Sequence, residues 1–300
     1  MAARRLVRMA WENGQPYGPS MPGKKPIWLI AAPFIFLLLW SAGFPVAKLG
    51  IAHAEPLSFL SLRYGLVLAI ILPLLAAMRP PLPRKAADWG HLALVGFLIQ
   101  TVYFGLSYLG LKAGVSAGGL AIIVCLQPLL VGILAPRFAG EKVGLMRWAG
   151  LGLGLAGAAT VIVSRSSVEA EHAWGVAAAV IALFAITAAT LWEKRFGKNH
   201  HPLASNAVQY AAGLAGTLPV AIALESFDFE WNPPFVGALA YLVIGNSIIA
   251  ISLLLAMIRA GEVSRVSSLF YLVPPLSALL AWPMLGEEMP PLGWVGFALA

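Results

Sequence analysis

Charge is what this chain has least of. Asp, Glu, Lys and Arg make up 11% of its 300 residues, apolar residues make up 60%, and mean hydropathy is +0.83. A chain of this size with so few polar groups cannot cover its surface for water, so lipid is the solvent it is built for. The two-residue alternation of barrel strands is missing, which leaves helices as the spanning elements. Cysteine is represented only by Cys125, and one cysteine makes no intrachain disulfide. None of the 13 acidic residues falls deep inside an apolar run, so there is no obvious carboxylate for proton or sodium coupling. A Walker motif is absent, which excludes a built-in ATP motor. His200 and His201 sit beside Lys198 and Asn199 in an expected solvated loop, without metal-ligand spacing to a partner. Neither a metal nor a cofactor is expected.

What is present is a series of apolar segments of spanning length. They fall at about 27–49, 57–78, 91–111, 116–136 and 148–163, then 174–196, 203–224, 236–258, 263–284 and from Gly293 onward. A hydrocarbon core of ~30 Å needs about 20 helical residues, and the complete segments approach that. The tenth is short: ten residues run from Pro291 to Ala300, about 15 Å of helix, so this last helix reads as truncated. Residues 1–25 hold Arg4, Arg5, Arg8, Lys24 and Lys25 among polar residues, Gly and Pro, and read as a disordered basic tail.

Shifting the chain by 146 residues lays it on itself. Lys48 falls on Lys194, Tyr64 on Tyr210, Pro128 on Pro274, and Gly140-Glu141 on Gly286-Glu287. Two copies of one unit follow, at residues 26–167 and 168–300, with five spans each. With the N-terminus in the cytoplasm, 16 Lys and Arg residues lie on the inner side and three on the outer: Lys48, Lys112 and Arg165. The net charge of +7 is therefore an orientation signal, and nucleic acid is excluded as a partner. Five spans per copy is an odd number, so the second copy is inverted. Inverted repeats provide two states of similar energy, each open to one side. Channels share that architecture, which leaves carrier against pore open. Gly152-Leu-Gly154-Leu-Ala-Gly157 matches a dinucleotide fingerprint, but it lies in an apolar helix with no preceding strand and reads as a small-residue packing face.

Polar residues at mid-depth are the candidates for chemistry, because each is costly there unless paired or wetted. Gln100 is central in span 3 and its image is Asn246 in span 8; Thr101 pairs likewise with Ser247, and Ser41 with Thr187. A shared cavity and interhelical glue both account for such pairs. Gln100, Tyr103 and Ser107 share one helical face. With Trp40, Phe270 and Tyr271, also at mid-span, they suit a ligand with a flat apolar body and a few polar atoms, although ordinary packing explains any one ring equally. Pro128 frees the carbonyl of Val124, while Pro274 and Pro275 free those of Phe270 and Tyr271, which makes ligand sites or hinges. Arg63, some seven residues into span 2, is expected to snorkel to the outer interface or bond a helix end rather than meet an anion.

Taken in order, Trp40-Ser-Ala-Gly43, Pro56 with Arg63-Tyr64, Gln127-Pro128 leading to Gly140-Glu141, and Pro274-Pro275 leading to Gly286-Glu287 resemble the drug/metabolite transporter superfamily. Within it the chain is similar to the ten-helix EamA-type exporters, and most of all to bacterial aromatic amino-acid exporters. The resemblance covers residues 27–300. It implies an all-α polytopic membrane protein with ten transmembrane helices in two inverted five-helix repeats. It also implies a bacterial inner-membrane location, and a substrate cavity between the halves whose helices carry Trp40, Gln100, Tyr103, Gln127, Asn246 and Tyr271. Neutral mid-depth positions disfavour phosphorylated substrates, and the missing intramembrane glutamate disfavours drug–proton antiport. The expected function is alternating-access export of neutral amino acids, aromatic ones first, running down a gradient. Another neutral metabolite or an amphipathic drug is the alternative substrate, with an embedded enzyme or a pore the remote one. Lipid and a small solute are the expected partners, and the protein is expected to be a monomer, with a dimer also open.

Overall fold

In a computed structural model, the structure describes residues 27–139, 170–196, 200–251 and 272–287, with a few isolated positions beyond them. Every regular element among the described residues is helical. In chain order they are α1 (Ile27–Ser41), α2 (Gly43–Ile51), α3 (Pro56–Met78), α4 (Ala86–Gly96), a π-helical stretch Phe97–Tyr103, α5 (Phe104–Lys112), α6 (Ala117–Cys125), α7 (Gln127–Ala139), α8 (Ala170–Phe196), α9 (Pro202–Leu224), α10 (Pro233–Ala240), a second π-helical stretch Tyr241–Ala250, and α11 (Val273–Leu285). Seven helical segments among them are long and apolar enough to cross a membrane, and Leu276–Leu285 is a shorter apolar helix. They supply spans 1–4, 6, 7, 8 and part of 9. Span 5 and Glu141 lie outside the described residues, as does most of span 10.

The ends of these helices are written in the sequence. Pro56 and Pro202 open α3 and α9 at positions whose backbone N–H would have no helical acceptor anyway. The Ser116 hydroxyl caps α6 by accepting from Gly119 N–H, and Asn232 caps α10 through Phe235 N–H. Arg79, in the left-handed region at φ 47°, ends α3 ahead of two prolines that cannot continue a helix. His201 also differs from the solvated loop expected of it. It is buried, and its Nδ1 accepts from Leu203 N–H at the start of α9, while His200 Nε2 lies 4.0 Å from Asp88.

The packing obeys the 146-residue shift. Spans 2 and 7, images of each other, pack along one another; spans 1 and 8 pack together as spans 6 and 3 do, and spans 4 and 9 meet. Tyr64 and its image Tyr210 pack edge to face at 5.7 Å where the halves join. The copies run in opposite directions. Glu225, just past the C-terminus of α9, accepts from Leu57 and Ser58 N–H at the N-terminus of α3 at 3.1 and 2.7 Å. Likewise Glu287, just past α11, accepts from Ala117 N–H at the start of α6. Both carboxylates therefore sit on helix N-termini, where the dipole favours an anion.

Because lipid offers no hydrophobic drive between helices, close approach and buried hydrogen bonds carry the packing. A side chain at Gly213 would place its Cβ 2.3 Å from that of Gln100, and one at Gly96 would strike the Gln209 backbone at 2.5 Å. Large apolar side chains such as Phe34, Leu72, Ile222 and Leu224 remain exposed on the outside, as a lipid-facing surface requires. The Tyr64 hydroxyl donates to the Gln100 carbonyl at 2.7 Å. Tyr64→Phe removes that bond between spans 2 and 3, and is expected to cost about 1 kcal/mol in reversible unfolding in mixed micelles.

Candidate substrate-binding site

The two π-helical stretches are images of each other, and they hold the paired polar residues: Gln100 and Thr101 in the first, Asn246 and Ser247 in the second. A π turn inserts an extra residue and swings side chains out of helical register, which is why such stretches gather at functional positions. Span 1 is interrupted beside them, between α1 and α2 at Ala42. Gly43 then lets the chain pass so close to Asn246 that a Cβ there would lie 2.6 Å from Asn246 Nδ2.

Between these elements is a cavity of about 20 Å³, room for about one water. Trp40, Gly43 and Phe44 of span 1 line it with Arg63 of α3, Tyr103, Phe104, Ser107 and Tyr108 of span 3, and Leu242 and Asn246 of span 8. Trp40, Tyr103, Ser107 and Asn246 are thus brought together. Ser247 joins them at one remove through Arg63. Gln100 does not: it is buried against Gly213 of α9, and its Oε1 has no hydrogen-bond partner. Ser41 is buried with its hydroxyl unpartnered, outside the lining. Gln127 lies elsewhere, donating from Nε2 to Thr190 Oγ1 at 2.7 Å and tying span 4 to span 6. Phe270 and Tyr271 lie outside the described residues.

The prolines sit at helix starts. Span 4 breaks at Leu126 and resumes as α7, with Pro128 in its first turn. Leu126 falls on Leu272, where α11 begins with Pro274 and Pro275 in its first turn. The start of α11 therefore falls at the position in span 9 that matches the break in span 4.

Arg63 departs from the sequence expectation. It does not snorkel; it is 1% exposed. Its Nη1 donates to Tyr108 Oη at 2.9 Å, Nε and Nη2 donate to Ser247 Oγ at 3.2 and 2.9 Å, and Nη2 reaches Asn246 Oδ1 at 3.4 Å. The guanidinium also lies 5.1 Å over the Phe104 ring. A charge about 10 Å along the helix from its end has interior acceptors closer than any interface. Those acceptors lie 45, 183 and 184 residues away in sequence, so no local pattern announces them. The one available signal was that its image, Gln209, is polar as well.

At one end of the bundle, Lys48 Nζ pairs with Glu287 Oε1 at 2.5 Å and donates to the Val115 carbonyl at 3.2 Å. The same carboxylate caps α6. Spans 1, 4 and 9 are latched there. A second cavity, of about 580 Å³, lies along α8 from Phe184 and Thr187 to Arg195 and Phe196, with Leu134 of α7 on its wall. Arg195 marks it as reaching the opposite, basic end.

Comparison with known proteins places this geometry. The EamA-like transporter family matches residues 26–163 and again 173–300. A protein of Streptantibioticus cattleyicolor named "probable terminal-alkyne amino-acid exporter" is 27% identical, over 92% of this chain and 90% of its own. The S-adenosylmethionine/S-adenosylhomocysteine transporter of Chlamydia trachomatis is 27% identical, over 91% of this chain and 88% of its own. A crystal structure 21% identical in sequence shares the fold, with a TM-score of 0.66 over 92% of this chain and 94% of that one.

Proposed function

The chain belongs to the EamA-like transporter family and is a multi-pass membrane transporter; from that premise we propose that it exports neutral amino acids, aromatic ones preferred, by alternating access. The observation that carries this reading is the cavity where spans 1, 2, 3 and 8 meet. It is walled by Trp40, Phe44, Tyr103, Phe104 and Tyr108, with Arg63, Asn246 and Ser107 as its polar points. Rings suit a flat apolar side chain, and the few polar groups suit an amino-acid backbone. The relative named as an amino-acid exporter supports the same class.

In the reading proposed here, residues 26–167 and 168–300 are the two moving halves. The cavity is too small for an amino acid in this conformation. The Lys48–Glu287 end is shut, and the 580 Å³ cavity marks the side that opens. With the N-terminus in the cytoplasm of a bacterium, the shut end faces outward across the inner membrane. No acidic residue lines the cavity among the described residues, so flux runs down the substrate gradient. The working unit is a monomer.

Proteoliposomes holding the full chain test this directly. Phenylalanine and tryptophan are expected to show saturable counterflow, while a sugar phosphate and a cationic dye show none. Proton-coupled exchange of the dye alone, or amino-acid flux that never saturates, overturns the reading.

A further inference from the structure

We propose that Arg63 and Ser107 form a carboxylate-recognition subsite, so that the transported solute must carry a free carboxylate. The inference rests on the exporter reading and adds to it the group by which the solute is recognised. Its first support is a charge without a counterion. Arg63 is buried, and every partner the structure gives it is neutral: two hydroxyls, an amide oxygen and a ring face. A buried cation left unneutralised is expensive, and an entering anion removes that cost.

Donor capacity is also left over. A guanidinium has five N–H groups, and the bonds to Tyr108, Ser247 and Asn246 use four, leaving one on Nη1. The Ser107 hydroxyl, 1% exposed and without a hydrogen-bond partner, lines the same cavity. Two idle donors, one of them charged, fit the two oxygens of a carboxylate. Asymmetry supplies the third support. Under the 146-residue shift the image of Arg63 is Gln209, so the packing of one half against the other does not itself demand a cation there. A single positive charge balances a monoanion and leaves a phosphate dianion half compensated.

The test uses the wild-type full chain with ligand pairs that differ at the carboxyl group: phenylalanine with phenylalaninamide, tryptophan with tryptamine, and 3-phenylpropionate with its amide. Each is scored by thermal stabilisation in detergent and by inhibition of counterflow in proteoliposomes. The acid is expected to act at concentrations at least ~10-fold lower than its partner, the scale of a charge-assisted hydrogen bond. Ser107→Ala should narrow that ratio several-fold, and Arg63→Gln should erase it. Arg63→Lys, which keeps the charge and loses the fork, should fall between. The wild-type comparison decides the matter even if the Arg63 variants fail to fold. Acid and amide of equal potency overturn the subsite; if phenylalanine still flows, the exporter reading survives. Discrimination in the thermal assay with no flux of any probe sustains the subsite and sinks the exporter reading. No response to any probe in either assay removes both.

Discussion

Arg63→Met is expected to reduce saturable amino-acid flux at least ~100-fold while leaving thermal stability within about 1 kcal/mol of the parent. The two effects separate because they draw on different interactions. For stability, the variant loses hydrogen bonds from Arg63 to Tyr108 and Ser247, each a charged-donor bond of about 1.5–3 kcal/mol. It also removes the cost of holding a cation away from water, several kcal/mol after relaxation, and buried charges are often replaced by apolar groups of similar volume at little net cost. Methionine fills most of the arginine's stem, and the two hydroxyls left behind are neutral groups whose own O–H donors are unchanged. For transport nothing offsets the loss. A solute held by its carboxylate forfeits its charged partner in the binding step, and a 100-fold loss corresponds to about 2.7 kcal/mol. Flux in proteoliposomes and melting in detergent, measured on one preparation, check this. A variant that melts far below the parent and transports in proportion to its folded fraction assigns Arg63 to packing alone.

That arginine also marks the limit of what the sequence discloses. The 146-residue shift, read from tyrosines, prolines and Gly-Glu pairs, anticipates which helices meet. Tyr64 does pack on Tyr210, and span 1 lies on span 8 as span 6 lies on span 3. Spacing within one helix likewise places Tyr103 and Ser107 on the face that lines the cavity. These are properties of local periodicity and of repetition, and both are written in the chain. Arg63 could not be placed this way, because its acceptors belong to other spans, Tyr108 to span 3 and Asn246 and Ser247 to span 8 of the other copy. Burial cost alone argued for snorkelling, and that argument holds only while no interior partners are known. Gln100 failed for the opposite reason. Symmetry with Asn246 suggested a shared cavity, yet Gly213 opposite Gln100 admits the side chain into a helix contact instead. The π turns around both residues had no proline or glycine signature common to the two copies, and nothing in Phe97–Tyr103 distinguishes them from regular helix. Lys48 and Glu287 read as loop charges because 239 residues separate them.

The second large effect belongs to that pair. Glu287→Gln is expected to open the Lys48 end of the bundle. Glu287 holds Lys48 on one oxygen and the Ala117 N–H on the other, with only 13% of its side chain exposed against 26% for Lys48. Solvent screens such a pair less than a surface one, and the carboxylate also sits on a helix N-terminus. Losing its charge should weaken the closed arrangement by about 1.5–3 kcal/mol, which shifts a two-state population roughly 10- to 150-fold. In a Cys125→Ser background, a cysteine at the buried Leu120 position, one turn into α6, reports the opening through labelling by a membrane-impermeant maleimide. Glu287→Gln and Lys48→Met should each raise the labelling rate about 10-fold or more, and the double variant should add little, since each single change already breaks the same contact. The repeat makes a further demand. Lys48 and Glu287 fall on Lys194 and Glu141, so an equivalent pairing is expected to hold the opposite end shut in the alternate state. Glu141→Gln should therefore lower the labelling of Leu120→Cys by favouring the conformation seen here. If none of these changes moves the labelling rate, the ion pair decorates the end of the bundle without holding it, and closure must come from the packing of α2 and α6 against α11.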